Sequence, residues 1–388
     1  MKGVYLMPYL LIFFMLSSCG YKAQLRKGNL QPVAEVEEIS FDFQDNLIFL
    51  EVFINGHKKR FILDSGAPNV IDFHIQEEFD LKPVFETGFY DAASRSVNLE
   101  MVKIDHIKFG SIEVENTVAA VADFSKFTCL NIDGIIGTNI MSLFDWKIDY
   151  QKEKAQLFKS GIPLDSLEGF GSGIPFFTSS QKSPFIKMTV GNTTFNKVEI
   201  DLGSNGGIGV QRWKQFTADN FESDSWVYGE TSVGIHGPIL DTTVLVIAND
   251  MYFGTFPVPT SKMTVKPSST SKIGNRFLKN YQLILSWKNE AMYLKNTQIP
   301  ITELDKNVVY LGWKEGEVYI KGYSKESEFS EKKIEIGDRV LRVYNLDVCY
   351  IDQFNFCLLK DYWKEKVLLQ IEKSEGQEVI ELVVDHIR

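Results

Sequence analysis

Two short segments of this chain each place an aspartate at the end of an apolar run. Residues 61–67 read Phe-Ile-Leu-Asp-Ser-Gly-Ala, and residues 198–204 read Val-Glu-Ile-Asp-Leu-Gly-Ser. Two carboxyl groups a few ångströms apart cannot both ionise at low cost, so they share a proton and one acts as acid while the other acts as base. If Asp64 and Asp201 meet in the fold, they predict general acid–base activation of water.

The surrounding sequence predicts that the two aspartates belong to an internal repeat. Asp64 and Asp201 lie 137 positions apart, as do the glycines that end Ile-Ile-Gly137 and Lys-Ile-Gly274. In each half an apolar strand, an Asn/Gly turn and a second strand lead to the aspartate, which is a hairpin pattern. Gly66 and Gly203 then allow a sharp turn. Two such halves predict two carboxylates at a pseudo-twofold axis.

A simpler interpretation exists for each element taken alone. Asp-Ser-Gly is typical of a turn, because Asp and Ser bond to nearby backbone and Gly accepts positive φ. The preceding strand, the later Gly element and the second copy favour paired carboxylates instead. We expect Asp133 to shape a turn before Gly134. Tyr90 and Tyr228 either stack on a ligand from flap hairpins or pack as ordinary half-buried tyrosines.

With these motifs in view, residues 40–297 resemble the retropepsin-like aspartic proteases, in particular bacterial forms with two fused lobes. Residues 63–67 are similar to the family's apolar-Asp-Ser/Thr-Gly-Ala/Ser box, and residues 132–137 to its apolar-apolar-Gly element. The resemblance implies a mainly β fold of two pepsin-type β-barrel lobes and an Asp64/Asp201 dyad that needs no metal and no cofactor. The supporting residues that it implies are Ser65, whose hydroxyl bonds across the lobe interface, Gly66, Gly203 and Ser204 beside the dyad, and Gly137 and Gly274 in the structural loops.

The second half departs from the family pattern at two positions. Leu202 stands where the family has Ser or Thr, although Ser204 carries a hydroxyl two positions later. Lys272 stands where the first half has Ile135. These departures leave three interpretations open: an endopeptidase with an asymmetric dyad, an inactive protein that binds peptides, or a one-lobe enzyme that dimerises.

The C-terminal third carries no repeat. Residues 334–345 resemble the Gly-Asp-containing stretch of PDZ domains in bacterial proteases, and Leu311, Gly312 and Trp313 are similar to the loop that binds peptide carboxylates there. Residues 352–364 have helical spacing, and residues 367–371 and 379–384 flank a turn. The resemblance implies a small PDZ-like α+β domain that recruits substrate or gates the site. A rigid appendage without a ligand is the alternative.

The N-terminus has the pattern of an export signal. Lys2 precedes a nearly apolar run over residues 4–16, which is short for a membrane span, and residues 16–19 resemble a bacterial lipobox. The resemblance implies lipidation of Cys19 and a lipoprotein of the cell envelope, on the periplasmic face of a membrane. An ordinary signal peptide with an incidental cysteine is the alternative.

Composition restricts the partners. A net charge of −10 argues against nucleic acid, because phosphate binding needs a basic surface. We expect an extended peptide or protein substrate, with the membrane contacted only through the lipid anchor. Cys349 and Cys357, eight positions apart, either pair or remain buried thiols.

These patterns predict five segments along the chain. They are a signal peptide over 1–18, a tether over 19–37, a first protease-like lobe over 38–160, a second over 161–298 and the PDZ-like domain over 299–388.

Overall fold

The computed structural model describes most of the chain after residue 27. The described residues are 28–90, 96–125, 127, 129–211, 225–234, 237–266, 270–298, 308–324, 329, 332–359, 367–373, 379–384 and 386–387. The predicted signal peptide and Cys19 therefore lie outside them. Within these ranges, no helix combines the length and the apolar character that crossing a bilayer requires.

The prediction of a mainly β protein is confirmed, because short helices only punctuate a long series of strands. The helices are α1 (Phe73–Glu78), α2 (Thr138–Met141), α3 (Asn275–Leu278) and α4 (Gln353–Leu359), with a 3-10 turn at Leu164–Leu167. The strands before residue 180 are β1 (Asn29–Leu30), β2 (Val36–Ser40), β3 (Asp42–Gln44), β4 (Leu47–Ile54), β5 (His57–Leu63), β6 (Val70–Asp72), β7 (Pro83–Tyr90), β8 (Ser96–Phe109), β9 (Ile112–Ala122), β10 (Gly134–Ile136), β11 (Asp145–Asp149), β12 (Lys154–Phe158) and β13 (Ile174–Thr178). The later strands are β14 (Pro184–Val190), β15 (Thr193–Ile200), β16 (Ile208–Gln211), β17 (Ser225–Gly234), β18 (Gly237–Ala248), β19 (Met251–Phe253), β20 (Phe256–Val258), β21 (Ser261–Lys266), β22 (Lys272–Ile273), β23 (Tyr281–Ser286), β24 (Ala291–Asn296), β25 (Val308–Lys314), β26 (Glu317–Ser324), β27 (Arg339–Val343), β28 (Leu346–Asp347), β29 (Val367–Glu372), β30 (Val379–Val384) and β31 (His386–Ile387).

The sheet of the first half surrounds the strand that ends at Asp64. β4 and β5 form an antiparallel hairpin, and β10 then inserts beside β5 in parallel, with Ile135 opposite Ile62. β10 also pairs antiparallel with β6. This parallel pairing brings Gly137, directly after β10, next to the turn that follows Asp64.

The second half uses the same order of pairings around Asp201. β14 and β15 form the antiparallel hairpin, β22 lies parallel to β15 with Lys272 opposite Glu199, and β22 also pairs antiparallel with β16. A long hairpin follows the aspartate in each half, β7–β8 in the first and β17–β18 in the second. The sequence positions of Ile62 and Ile135 therefore correspond to those of Glu199 and Lys272.

The two halves share a sheet and a core. β11 pairs antiparallel with β23, so that Trp146 lies opposite Leu285. One cluster of buried side chains contains Leu63 and Leu202, the apolar neighbours of the two aspartates, together with residues of both halves. Burial of this apolar surface fixes the position of one aspartate-bearing strand relative to the other.

The C-terminal residues have a core of their own. Val309, Ile320 and Phe356 belong to a buried cluster separate from that of the two halves, and β29 pairs antiparallel with β30. Residues 311–313, which the sequence placed in a carboxylate-binding loop, lie within β25 and pair with β26. Their role in peptide binding stays a prediction, but they do not form a loop.

A strand pairing and a disulfide join this C-terminal unit to the rest of the chain. β26 extends the sheet of the second half by pairing antiparallel with β17, with Gly322 opposite Gly229. A disulfide joins Cys129, in the segment before β10, to Cys357 in α4. The expected alternatives for the cysteines are thus corrected: Cys357 pairs with Cys129, and Cys349 is the free thiol among the described cysteines. Proximity in sequence misled the prediction, because only the tertiary packing brings Cys129 to α4.

We expect Cys357→Ser to destabilise the oxidised protein by up to about 5 kcal/mol, because the disulfide closes a loop of 228 residues and restricts the unfolded chain. Urea unfolding under non-reducing conditions measures the loss. Cys349→Ser removes a thiol that forms no disulfide, and it should unfold at the wild-type urea concentration. Equal stability of both variants would contradict a native Cys129–Cys357 bond.

Candidate functional site

Asp64 is held at the end of β5 by backbone contacts. Its N–H donates to the carbonyl oxygen of Ile136 at 3.0 Å, which ties the aspartate to the inserted strand β10. The N–H of Gly66 donates to Asp64 Oδ1 at 2.6 Å. The turn after β5 therefore ends the pairing with β10 and orients the Asp64 carboxyl group.

Asp201 has the same backbone anchor in the second half but a different side-chain partner. Its N–H donates to the carbonyl oxygen of Ile273 at 3.0 Å. The ammonium group of Lys272 donates to Asp201 Oδ2 at 2.8 Å, and the Asp201 side chain is only 9% exposed. Asp201 is therefore one member of a largely buried ion pair.

The two aspartates meet at the glycines that follow them. A β-carbon built on Gly66 would lie 3.3 Å from Asp64 Oδ1, 3.3 Å from Glu199 Cδ and 3.4 Å from Asp201 Cγ. A β-carbon on Gly203 would overlap the carboxyl group of Asp64. The carboxyl groups of Asp64, Asp201 and Glu199 thus converge on Gly66, and Asp64 reaches across to the turn of the second half.

Ser65 connects the two halves directly beneath this cluster. Its fully buried hydroxyl donates to the carbonyl oxygen of Ile200 at 2.5 Å and accepts from the N–H of Leu202 at 3.0 Å. These two backbone groups flank Asp201. One side chain of the first half therefore fixes the backbone on both sides of the second aspartate, while the buried Leu202 offers no reciprocal hydroxyl.

We expect Ser65→Ala to destabilise the protein by about 2–3 kcal/mol, because the buried Ile200 carbonyl and Leu202 N–H lose their partner. Urea denaturation measures this free energy. Ser65→Thr keeps a hydroxyl at the same position and serves as the matched variant. Wild-type stability of Ser65→Ala would show that this bridge does not hold the two aspartates together.

The other supporting residues predicted from the sequence lie in the turns around the dyad. Ser204 accepts the Gly206 N–H on its hydroxyl and the Asn275 N–H on its carbonyl oxygen, so it shapes the turn. The Asn275 side chain donates to the Leu202 carbonyl at 2.6 Å. A β-carbon on Gly274 would lie 2.5 Å from the Gly206 carbonyl oxygen, and one on Gly137 would overlap backbone, so both glycines are required for close packing.

The charges of the site perturb one another strongly. Burial, and then the Asp201 carboxylate, raise the pKa of Asp64 to about 7. Burial and the same carboxylate raise the pKa of Glu199 to about 8. Burial alone would lower the pKa of Lys272, but the Asp201 carboxylate outweighs it and raises that pKa. The site therefore retains protons on carboxyl groups near neutral pH, as acid–base chemistry requires.

The sequence pattern does not identify Glu199 as a site residue. It shows Lys272 only as a departure from the residue at the corresponding position of the first half. A signal was present, because Glu199 and Lys272 stand where the first half has Ile62 and Ile135, and one side chain is acidic while the other is basic. They lie directly opposite each other in the parallel pairing of β15 and β22. Only that register reveals that they belong to one cluster with Asp201.

Other candidate residues lie away from the dyad. Asp133 accepts the Arg60 N–H at 2.7 Å and contacts His74 Nε2 at 2.8 Å, which fixes the chain before β10. Tyr228 is 40% exposed and packs edge-to-face on Tyr323 of β26, with ring centroids 6.3 Å apart. The side chain of Tyr90 lies outside the described part of the chain. Among the described residues, no group of three or more His, Cys, Asp or Glu side chains is arranged to hold a metal ion.

Comparisons with known proteins agree with part of this description. A family model described as aspartyl protease matches residues 50–140. The crystal structure of a retropepsin-like aspartic protease from Rickettsia conorii is 19% identical, covering 34% of this chain and 94% of that chain with a TM-score of 0.24. No curated protein matches the chain. The matched segment contains Asp64, Ser65 and Gly137, so residues 50–140 are similar in sequence to an aspartyl protease domain.

Proposed function

We propose that this protein is an aspartic endopeptidase that hydrolyses peptide bonds with water activated by Asp64 and Asp201. The observation that carries the proposal is the convergence of the two carboxyl groups at Gly66 and Gly203, from corresponding strands of two halves. One carboxyl group accepts a proton from water as the water attacks, and the other donates a proton to the peptide carbonyl. Neither step needs a metal or a cofactor.

The proposal includes a domain organisation. Residues 38–160 and 161–298 would be two protease lobes, which the shared order of strand pairings around each aspartate supports. Residues 299–388 would be a PDZ-like domain. An extended peptide would lie between the lobes beneath the long hairpins β7–β8 and β17–β18. We further propose that lipidation at Cys19 anchors the protein to the periplasmic face of a membrane.

The C-terminal unit would recruit substrate or gate the site. Its strand β26 continues the sheet of the β17–β18 hairpin, and its helix α4 is disulfide-bonded to the segment before β10. A displacement of this unit would therefore act on both halves. PDZ domains bind a peptide by adding it as a strand to a sheet edge, which suits such a role.

A second candidate function is peptide binding without cleavage. Two observations favour it. Leu202 supplies no hydroxyl to the interface between the two halves, and the Lys272 ammonium group forms an ion pair with the Asp201 carboxylate. In this alternative the two halves and the C-terminal unit serve as recognition modules of the cell envelope.

Cleavage of a mixed peptide library by the full chain in detergent, from about pH 3 to 8 and with and without a chelator, tests the proposal. We expect internal cleavage products that a chelator does not reduce. Folded wild-type protein that binds peptides yet yields no products at any pH would favour the binding protein. Products that disappear with chelator would assign the cleavage to a contaminating metalloprotease.

A further inference from the structure

The second half places an acidic and a basic side chain where the first half has two isoleucines. Ile135 lies opposite Ile62 across β10 and β5, whereas Lys272 lies opposite Glu199 across β22 and β15. Strands flanked on both faces are usually apolar, because a charge there must be paired to offset its desolvation. A glutamate and a lysine at this depth therefore need an explanation beyond packing.

The side chain of Lys272 contacts one aspartate of the dyad. Its ammonium lies 2.8 Å from Asp201 Oδ2, and its side chain is 22% exposed. The Glu199 carboxyl group lies beside Asp64 and Asp201 at Gly66. Three carboxyl groups and one ammonium group thus form a single cluster.

Further charged groups act on this cluster from neighbouring elements. Lys197 lies on the same strand as Glu199 and interacts with it, and Lys266 of β21 interacts with both Lys272 and Asp241 of β18. Lys272 is the cation that donates a hydrogen bond to Asp201.

Charge balance then distinguishes the two aspartates. In a partly buried cluster, each ionised carboxylate makes ionisation of the next one more costly. One ammonium group offsets one negative charge, and it offsets that charge best where it is in contact. The carboxyl group touched by Lys272 is the one whose negative charge is compensated, whereas the Asp64 carboxyl group accepts from the uncharged N–H of Gly66.

We propose that Lys272 is a positioning residue that keeps the negative charge of the dyad on Asp201 and the shared proton on Asp64. This inference rests on the proposed function for its catalytic meaning: Asp201 is the base that accepts the proton of water, and Asp64 is the acid that donates to the peptide carbonyl. A symmetric dyad has no built-in assignment of this kind. Here one lysine, present in the second half alone, makes the assignment.

Lys272→Met tests the proposal by removing the charge and keeping the length of the side chain. Without the ammonium, the dyad retains a second proton to higher pH, so the acid limb of the kcat/KM profile should move up by about 1–3 pH units. Lys272→Arg keeps the charge and should keep the wild-type limb. Lys187→Met removes an equal charge from an exposed position of β14 and should leave the limb unchanged.

The pH dependence of the unfolding free energy gives a second readout that does not need activity. Native Lys272→Met should bind more protons than wild type between about pH 4 and 8, so its stability relative to wild type should fall as pH rises. The unfolding free energy of Lys187→Met should change with pH in parallel with that of wild type. Should Lys272→Met not fold, Lys272→Gln replaces it, because its amide is polar but carries no charge.

The outcomes separate this inference from the proposed function. A shifted acid limb and a diverging stability curve for Lys272→Met, with neither for Lys187→Met, support it. An unchanged limb, or a stability curve parallel to wild type, overturns it. If wild-type protein cleaves nothing, the proposed function fails, and the stability curves alone decide whether Lys272 sets the proton distribution.

Discussion

Asp64→Asn is expected to lower kcat for peptide cleavage by at least about 1,000-fold, because an amide can neither donate nor accept the proton that the dyad transfers. Asp201→Asn should have an effect of the same size, since the two carboxyl groups act as a unit. Initial rates with a cleavable peptide from the library measure both. Asp165→Asn, at an exposed position of the 3-10 turn, is the matched control and should keep the wild-type rate.

The pH dependence of the unfolding free energy distinguishes loss of the catalytic carboxyl group from misfolding of the variant. The pKa of Asp64 in the folded protein is raised to about 7, well above that of an aspartate in an unfolded chain. Its contribution to stability is therefore present at low pH and is lost as pH rises from about 4 to 7. Asp64→Asn lacks this loss, so its stability relative to wild type should increase over that range. Activity lost with Asp64→Asn but kept with Asp201→Asn would instead indicate a one-lobe enzyme that dimerises.

Gly137→Ala is expected to destabilise the protein by about 3 kcal/mol or more. A β-carbon at this position would overlap the backbone of Pro68 and Ala67, which cannot move aside as a flexible side chain could. The strand β10 would have to retreat from the turn after Asp64. Thermal or urea unfolding measures the loss, and cleavage should fall with it.

Gly207→Ala provides the control for this experiment. It lies in the turn after Asp201, and a β-carbon there would meet nothing within 4 Å. The variant should unfold within about 1 kcal/mol of wild type. If both substitutions destabilise the protein equally, the cause is the backbone conformation of the turns. That result would contradict a steric clash at Gly137 as the reason for the loss.

The mainly β class was predictable because it depends on local patterns. Alternating apolar runs, Asn/Gly turns and frequent β-branched residues act over a few positions, and they are visible in the sequence. The position of residues 311–313 was not predictable in the same way. Three matching letters suggested a loop, but burial of Leu311 and pairing with β26 place them in a strand.

The cysteine pairing shows the same limit. Cys349 and Cys357 are close in sequence, yet the bond joins Cys129 and Cys357, which are separated by 228 positions. Contacts at such separations arise when whole elements pack together. Here the segment before β10 and the helix α4 meet because the C-terminal unit is fixed to the rest of the chain.

By itself, the sequence determined the two aspartates, the glycines that follow them and the spacing that relates the two halves. Each of these depends on residue type and order along the chain. The tertiary structure alone decided that Glu199 and Lys272 join the carboxyl groups at Gly66, because that cluster depends on the register of two parallel strands more than 70 positions apart. A sequence does not display such a register, since long-range pairing is set by burial of the common core.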